Sequence, residues 1–578
     1  MFELRFILVL GIAAGAMVGC DPPAGRESAD LVTASAGAGW FSELPAGREI
    51  DFHRDAGPEE GYFMPEIMGS GAAFLDYDGD GLLDLFLVGG RWMQGGDRAR
   101  MQNRLYRQQP DGSFTEVSAA AGLHESRGYG VGVAVGDIDN DGDLDMYVTG
   151  YGGDRLWVNH GDGTFADETH SLETINERWG TAAAFFDYDR DGMLDLCIVN
   201  YLDYYPGSLC DDGSGRRDYC GPTSFQGTVS RLYRNLGESG GALRFADVTV
   251  AAGLTAVPGP GLGLLCRDFD GDGRPDMLVA NDMSPNTLWM QQADGTFHDE
   301  AMLRGVAVNC FGQAEANMGV VCADLDGDGF DDVFITTLRG ETSALYLGRP
   351  DGQFQDGIAS SGLGPPSLEM TGFGAVSFDL ENDGDLDLIV VNGRVKRAPP
   401  LKAARLSAFW NDYAEPTQIF VNEGGGHFVD ASPEGGLLTQ RLDVSRALAY
   451  GDIDNDGDFD LVATSCAGPV RIYQNDVPRK GNWLMVRAFD PALNRDAIGA
   501  RVEIAAAGRR WHREINPSSS YLSSNDFRVH FGLGDTPSYD SLIVRWPDGL
   551  VEHFPGGVTD RHVVVYRGRG DLPPEAGP

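Results

Sequence analysis

The sequence predicts an all-β chain: a seven-bladed β-propeller with Ca²⁺-binding loops, followed by a small C-terminal β-sandwich-like domain. Three observations predict it. One acidic nonapeptide occurs seven times. Each copy opens an apolar strand such as LFLV or MYVT. A second strand pair with a DG or GG turn then follows most copies. About four short strands per unit, repeated around the chain, describe a ring of blades.

The nonapeptide fits D-x-[DE]-x-D-G-x-x-D, and its first, third, fifth and ninth positions are the candidate ligands. Loop 1 offers Asp76, Asp78, Asp80 and Asp84; loop 2 offers Asp137, Asp139, Asp141 and Asp145. Loop 3 offers Asp187, Asp189, Asp191 and Asp195; loop 4 offers Asp268, Asp270, Asp272 and Asp276. Loop 5 offers Asp324, Asp326, Asp328 and Asp332; loop 6 offers Asp379, Glu381, Asp383 and Asp387. Loop 7 offers Asp452, Asp454, Asp456 and Asp460. A spacing of two turns three carboxylates toward one point, and the Gly at position six permits the bend. Hard oxygen ligands at this spacing suit Ca²⁺, up to seven ions in all. Glu381 lengthens one ligand arm and Pro275 precedes one closing Asp, so loops 6 and 4 stand apart.

Composition agrees. The formal charge is −43, and the seven loops hold 32 of the 87 acidic residues. The remaining 55 nearly balance 44 Lys and Arg, so the acidity is mostly loop acidity. Clustered carboxylates without cations repel one another. An acidic chain excludes nucleic acid as a partner, because phosphate binding needs basic patches. Glycine, at 80 residues, suits many strands joined by tight turns.

The N-terminus reads as a targeting signal. Arg5 precedes an apolar run from Phe6 to Ala16, then Met17-Val18-Gly19-Cys20. This resembles a bacterial lipoprotein signal, residues 1–19, with lipid on Cys20. The run is too short to span a bilayer. The expectation is an exported cell-envelope protein that meets the membrane only through this lipid. Residues 20–47 read as a flexible tether. Of seven further cysteines, Cys210 and Cys220 flank a Gly- and Asp-rich loop and are expected to pair. Cys197, Cys266, Cys322 and Cys466 lie in apolar strands as free thiols.

Loop starts are spaced 50 to 81 residues apart. An N-x-L-Y-type strand, a turn and G-x-F follow, as in NRLYRQQPDGSF from Asn103 and NTLWMQQADGTF from Asn286. After loop 7 no G-x-F strand appears. REIDFHRDAG from Arg48 looks like the missing piece, so Ile50–His53 is expected to complete the last blade of a propeller spanning 48–478.

GYFMPEIMGSGAAFLDYDGDG from Gly61 and TGFGAVSFDLENDGDLDLIVVNGRV from Thr371 resemble the cartilage acidic protein family with its FG-GAP/VCBS repeats. GNWLMVRAFDPALNRDAIGARVEI from Gly481, SSSYLSSNDFRVHFGLG from Ser518 and DSLIVRWPDGLVEHF from Asp540 are similar to the ASPIC/UnbV domain. The resemblance covers about residues 48–568 and implies an extracellular, calcium-dependent propeller with a small β domain at 479–570 and a tail at 571–578. It implies no settled reaction or ligand.

That domain reads as an antiparallel sandwich. Arg495, Arg513 and Arg545 add local basicity, for salt bridges or for docking on the acidic rim. Ser518–Ser520 and Ser523–Ser524 around Tyr521 read as a polar loop. No HExxH, P-loop or dinucleotide fingerprint is present. The favoured reading is therefore a binding or adhesion module for a protein or glycan at the loop face. The alternative is a calcium-dependent propeller enzyme such as a polysaccharide lyase or tailoring enzyme. The insertion from Asn200, with Tyr201, Tyr204, Tyr205, Tyr219, Arg216 and Arg217, is the first candidate contact, and the segment around Trp410 the second. The sequence sets no oligomeric state.

Overall fold

Each acidic loop is the turn between the first two strands of a sheet. In the first sheet Ala72–Leu75 runs into loop 1 and Asp84–Leu87 returns beside it, pairing Leu75 with Asp84. Arg104–Gln108 and Phe114–Glu116 complete a four-stranded antiparallel meander. Five further four-stranded sheets begin with Tyr129–Gly136, Gly180–Phe186, Gly261–Arg267, Val320–Ala323 and Gly372–Phe378. A seventh begins with Ser445–Gly451. This is a computed structural model, and it describes residues 39–45, 48, 50–54, 59–90, 102–123, 128–238 and 240–572. The expected signal at 1–19, Cys20, most of the tether and residues 573–578 lie outside the described residues.

The first strands pack on one another in chain order, and that of the seventh sheet packs on that of the first. The chain thus has a β-propeller fold. Their sequences explain the convergence. YGVGVAVG and GTAAAFF are rich in Gly and Ala, and every residue of both strands is buried. A Cβ on Gly132 would meet the Thr181 carbonyl oxygen at 2.3 Å, so neighbouring backbones come too close for a side chain. The fourth strands are polar and outward, as in Phe114–Glu116.

The closing strand is not Ile50–His53. Phe41–Glu43 pairs antiparallel with Arg471–Asn475 and fills the outer place of the seventh sheet. Phe41 is buried there with Leu438, Leu461 and Tyr473. The Ile50–His53 segment instead crosses the inner end of that strand: Phe52 O accepts from Val470 N at 2.9 Å and His53 bridges Pro469. The apolar Ile50 and Phe52 are buried between the first and last sheets.

From Gly39 onward the chain forms one compact unit. Its C-terminal part has two four-stranded sheets. One holds Asn482–Asp490, Arg495–Asp496, Val529–Gly534 and Arg561–Tyr566. The other holds Arg501–Ala506, Arg509–Glu514, Ser538–Arg545 and Val551–Val558. Leu484, Val502, Phe531, Leu542 and Trp546 form their common core. The purely antiparallel expectation fails at one place. Arg561–Tyr566 runs parallel to Asn482–Asp490, because the chain crosses back from the other sheet before its last strand.

Candidate metal centres

All seven loops share one internal hydrogen-bond plan. The first Asp accepts from the Gly at position six, at 2.7–3.2 Å in every copy. These glycines have φ between 85° and 104°, which L side chains rarely adopt. The fifth Asp accepts from the N–H two residues on, at 2.9–3.1 Å, an Asx turn. The ninth Asp is a brace. One oxygen accepts from the second loop residue, as Tyr77 N to Asp84 at 3.1 Å. The other accepts from the end of the third strand, as Gln108 N to Asp84 at 2.7 Å. The same pair of bonds recurs at Asp145, Asp195, Asp276, Asp332, Asp387 and Asp460.

In loops 1 to 5 the first, third and ninth carboxylates converge. Ligand atoms lie within 4.8 Å of one another in Asp76/Asp78/Asp84, Asp137/Asp139/Asp145, Asp187/Asp189/Asp195, Asp268/Asp270/Asp276 and Asp324/Asp326/Asp332. The fifth-position Asp of each of these loops stands outside its cluster. Burial pushes Asp84, Asp276 and Asp332 up to about 8 and Asp195 up to about 9, despite their backbone donors. Like-charged neighbours add to each rise.

A hard cation fits this donor set. Asp78 Oδ1, Asp137 Oδ1, Asp189 Oδ1, Asp324 Oδ1 and Glu381 Oε2 are buried without hydrogen-bond partners. Unpaired buried oxygens are costly, and a divalent ion would satisfy them. Basic side chains sit at the rim: Arg107 is 2.7 Å from Asp78, Arg234 is 2.6 Å from Asp189 and Arg304 is 2.9 Å from Asp270.

The loop face carries the C-terminal domain. Asn494 Nδ2 donates to Asp141 O at 2.7 Å, and Arg495 Nε to Asn140 Oδ1 at 2.8 Å. His512 Nε2 lies 2.9 Å from Asp331, and Trp511 Nε1 donates to Gly384 O at 2.8 Å. Arg528 reaches Asn455 Oδ1 at 2.7 Å and Asp452 O at 2.9 Å. Arg495 and Arg513 therefore face the acidic rim, whereas Arg545, in the same sheet as Arg513, is exposed. Burial pushes both rim guanidinium groups down, while the loop aspartates push them up. Arg528 and His512 had no motif to mark them in the sequence. Between the domains lies a cavity of about 80 Å³ lined by Arg267, Asp331, His512, Arg513, Glu514 and His530. Burial pushes His530 down to about 3, so it is a neutral imidazole.

From this domain the Ser518–Ser524 segment enters the centre of the ring. Ser520 and Val320 exchange backbone hydrogen bonds at 2.8 and 3.0 Å. Ser524 N donates to Ala72 O at 3.1 Å, and Val133 N to Leu522 O at 3.2 Å. Tyr521 is fully buried, its hydroxyl donating to Met68 O at 3.1 Å. The sequence-level polar loop is thus a plug.

The other end of the ring is aromatic. Tyr201, Tyr204, Tyr219, Trp179, Trp410 and Tyr413 pack around the short helix Met64–Met68. Tyr201 donates to Asp282 at 2.5 Å, Tyr219 to Glu66 at 3.1 Å and Tyr413 to Asp218 at 2.7 Å. Three of the four candidate tyrosines are therefore packing residues. Tyr205 is 67% exposed. Cys210 and Cys220 are joined by a disulfide across a small hairpin, where Arg216 and Arg217 pair with Asp212 and Asp211. Cys197, Cys266 and Cys466 are buried thiols, Cys322 is half-buried and Cys310 is exposed.

Residues 490–571 match the family described as ASPIC and UnbV. Residues 76–148, 137–198, 268–335 and 324–390 match the FG-GAP-like repeat. Cartilage acidic protein 1 of Xenopus tropicalis is 26% identical over 483 residues, covering 73% of this chain and 70% of that protein. The Homo sapiens protein of the same name is 26% identical over 480 residues, covering 72% and 69%. Among solved structures, rhamnogalacturonan lyase YesW covers 72% of this chain and 73% of its own at 14% identity, with a TM-score of 0.37. That likeness is too slight to carry an argument. The repeats and the C-terminal match identify the chain as an FG-GAP-repeat protein with an ASPIC and UnbV domain, homologous to cartilage acidic protein 1.

Proposed function

We propose that the chain is an exported, lipid-anchored propeller of seven blades whose Ca²⁺ ions are structural, and that it binds a protein or glycan at the cell envelope. The observation that carries the structural role is the ninth Asp. In all seven loops it ties its loop to the third strand of its own sheet. A group spent on bracing the fold in every copy is not specialised for one substrate. The first- and third-position carboxylates would hold the ion beside this brace, and the ion would neutralise their mutual repulsion.

The C-terminal domain takes up the loop face, so the reading places the partner elsewhere. The exposed Tyr205 and Leu209, beside the disulfide hairpin whose Arg216 and Arg217 pair with Asp212 and Asp211, offer a rigid contact of mixed charge. The test is an array of acidic glycans and envelope proteins probed with the chain and with a Tyr205→Ala/Arg216→Ala/Arg217→Ala variant. Binding that is lost in the variant at unchanged melting temperature supports the reading. Glycan cleavage with release of unsaturated ends would replace it with the lyase.

A further inference from the structure

Loop 6 differs from its six relatives in its surroundings. The fifth-position Asp is exposed in loops 1, 2, 3, 4, 5 and 7, at Asp80, Asp141, Asp191, Asp272, Asp328 and Asp456. In loop 6 none of residues 379–387 is exposed, and Asp379, Glu381, Asn382 and Asp387 are buried. The cover is the C-terminal domain and the segment that leads into it. Lys480 N donates to Glu381 O at 2.7 Å, Gly534 N to Asn382 O at 2.9 Å and Trp511 Nε1 to Gly384 O at 2.8 Å. Contact is so close that two positions admit only glycine. A Cβ on Gly481 would meet Asn382 O at 2.1 Å, and one on Gly532 would meet Asp379 Oδ2 at 1.8 Å.

The buried carboxylates are short of positive charge. Lys480 Nζ reaches Glu381 Oε1 at 2.6 Å. Glu381 Oε2 is buried and has no hydrogen-bond partner. Lys480 and the buried guanidinium of Arg513, which is drawn chiefly to Asp379, are thus two cations against three buried acids at the first, third and ninth positions.

We propose that loop 6 is a locked divalent-cation site, in which the C-terminal domain holds the ion so that it cannot exchange while the domain stays docked. Glu381 bridges the ion and Lys480, and the longer Glu side chain is what lets one carboxylate serve both. The other six sites exchange with solvent through their exposed fifth position. This rests on the metal reading above and adds to it that one ion joins the two domains.

The test is release of Ca²⁺ from the saturated full chain into excess chelating dye. Two phases are expected, the slower equal to one ion and at least tenfold slower than the rest. Glu381→Gln should abolish the slow phase and leave the fast amplitude unchanged. Gly532→Ala, which pushes on Asp379 itself, should speed the slow phase at least tenfold. Should that variant not fold, Trp511→Phe removes the bond to Gly384 and part of the packing over the loop, and should speed it less. Release of the full complement in one phase, or a slow phase that survives Glu381→Gln, would overturn the locked site. Absence of any bound Ca²⁺ would overturn the metal reading itself.

Discussion

Gln108 Nε2 donates to the Ile453 carbonyl at 2.6 Å, although 345 residues separate them in the chain. The bond joins the third strand of the first sheet to the loop of the seventh. The same link runs from Asn159 to Tyr77 O, Asn235 to Ile138 O, Gln291 to Tyr188 O and Asn422 to Leu325 O, at 2.7–2.9 Å. An amide at the end of each such strand fastens its sheet to the loop of the preceding one. Gln108 does this where the ring closes. Gln108→Ala should cost about 1–3 kcal/mol, since it strands a buried carbonyl. Urea unfolding would measure it, and an unchanged midpoint would show that the closure does not depend on the link.

Removing divalent metal should lower the melting temperature strongly. A ligand that binds only the folded state stabilises it by mass action. Differential scanning calorimetry with Ca²⁺ and with chelator, alongside elemental analysis, checks both stability and stoichiometry. No bound metal and no shift would reduce the repeats to acidic turns.

The chelated chain should lose stability as pH rises. Burial raises Asp84, Asp276 and Asp332 to about 8 and Asp195 to about 9. Acids raised in the folded state contribute stability that is complete below their ordinary range and is lost as pH climbs through the raised values. Melting should therefore be lower at about pH 8.5 than at about pH 5.5 without metal. Ca²⁺ favours the ionised form, so the gain on adding it should grow with pH. A chelated chain that gains stability on going alkaline would contradict the assignment.

Tyr521 should matter to the propeller although it belongs to the other domain. Tyr521→Ala would empty the centre of the ring and cost about 3–5 kcal/mol. Tyr521→Phe would lose only the bond to Met68 O, about 1 kcal/mol. Equal effects from the two would mean that the ring contributes nothing to the burial.

Truncation separates the expected from the observed closing strand. A chain beginning at residue 39 should behave as the longer chain does, whereas one beginning at residue 48 lacks Phe41–Glu43 and leaves Arg471–Asn475 as an open edge. Open edges invite pairing with other copies. Light scattering should show aggregation of the shorter chain alone.

The loops, the meander and the Cys210–Cys220 hairpin were legible because each is local. The closing strand was legible too, but in the wrong place. Gly39-Trp40-Phe41 with Glu43 matches the G-x-F pattern of Phe114–Glu116 and Phe428–Asp430, yet it sits beside a Gly- and Ala-rich stretch that reads as tether. Ile50 and Phe52 are apolar enough to imitate a strand, and burial between two sheets explains them equally well. The plug was invisible for a different reason. Ser518–Ser524 has no strand periodicity, because its hydrogen bonds go to four separate elements of the ring. The tyrosines of the insertion could not be divided by sequence into packing and exposed. Of the four, only Tyr205 is exposed.

Phe41–Glu43 and Arg471–Asn475 lie side by side, yet on a ribosome the first emerges long before the second exists. Six sheets can form as they are made, while the outermost strand of the seventh waits unpaired. The plug and its domain arrive later still. The nascent chain therefore passes through a stage with an open ring, an uncovered acidic face and an unpaired strand that leaves Phe41 without its pocket. Until the C-terminal domain is made, the unpaired edge and the uncovered face stay open to other copies of the chain.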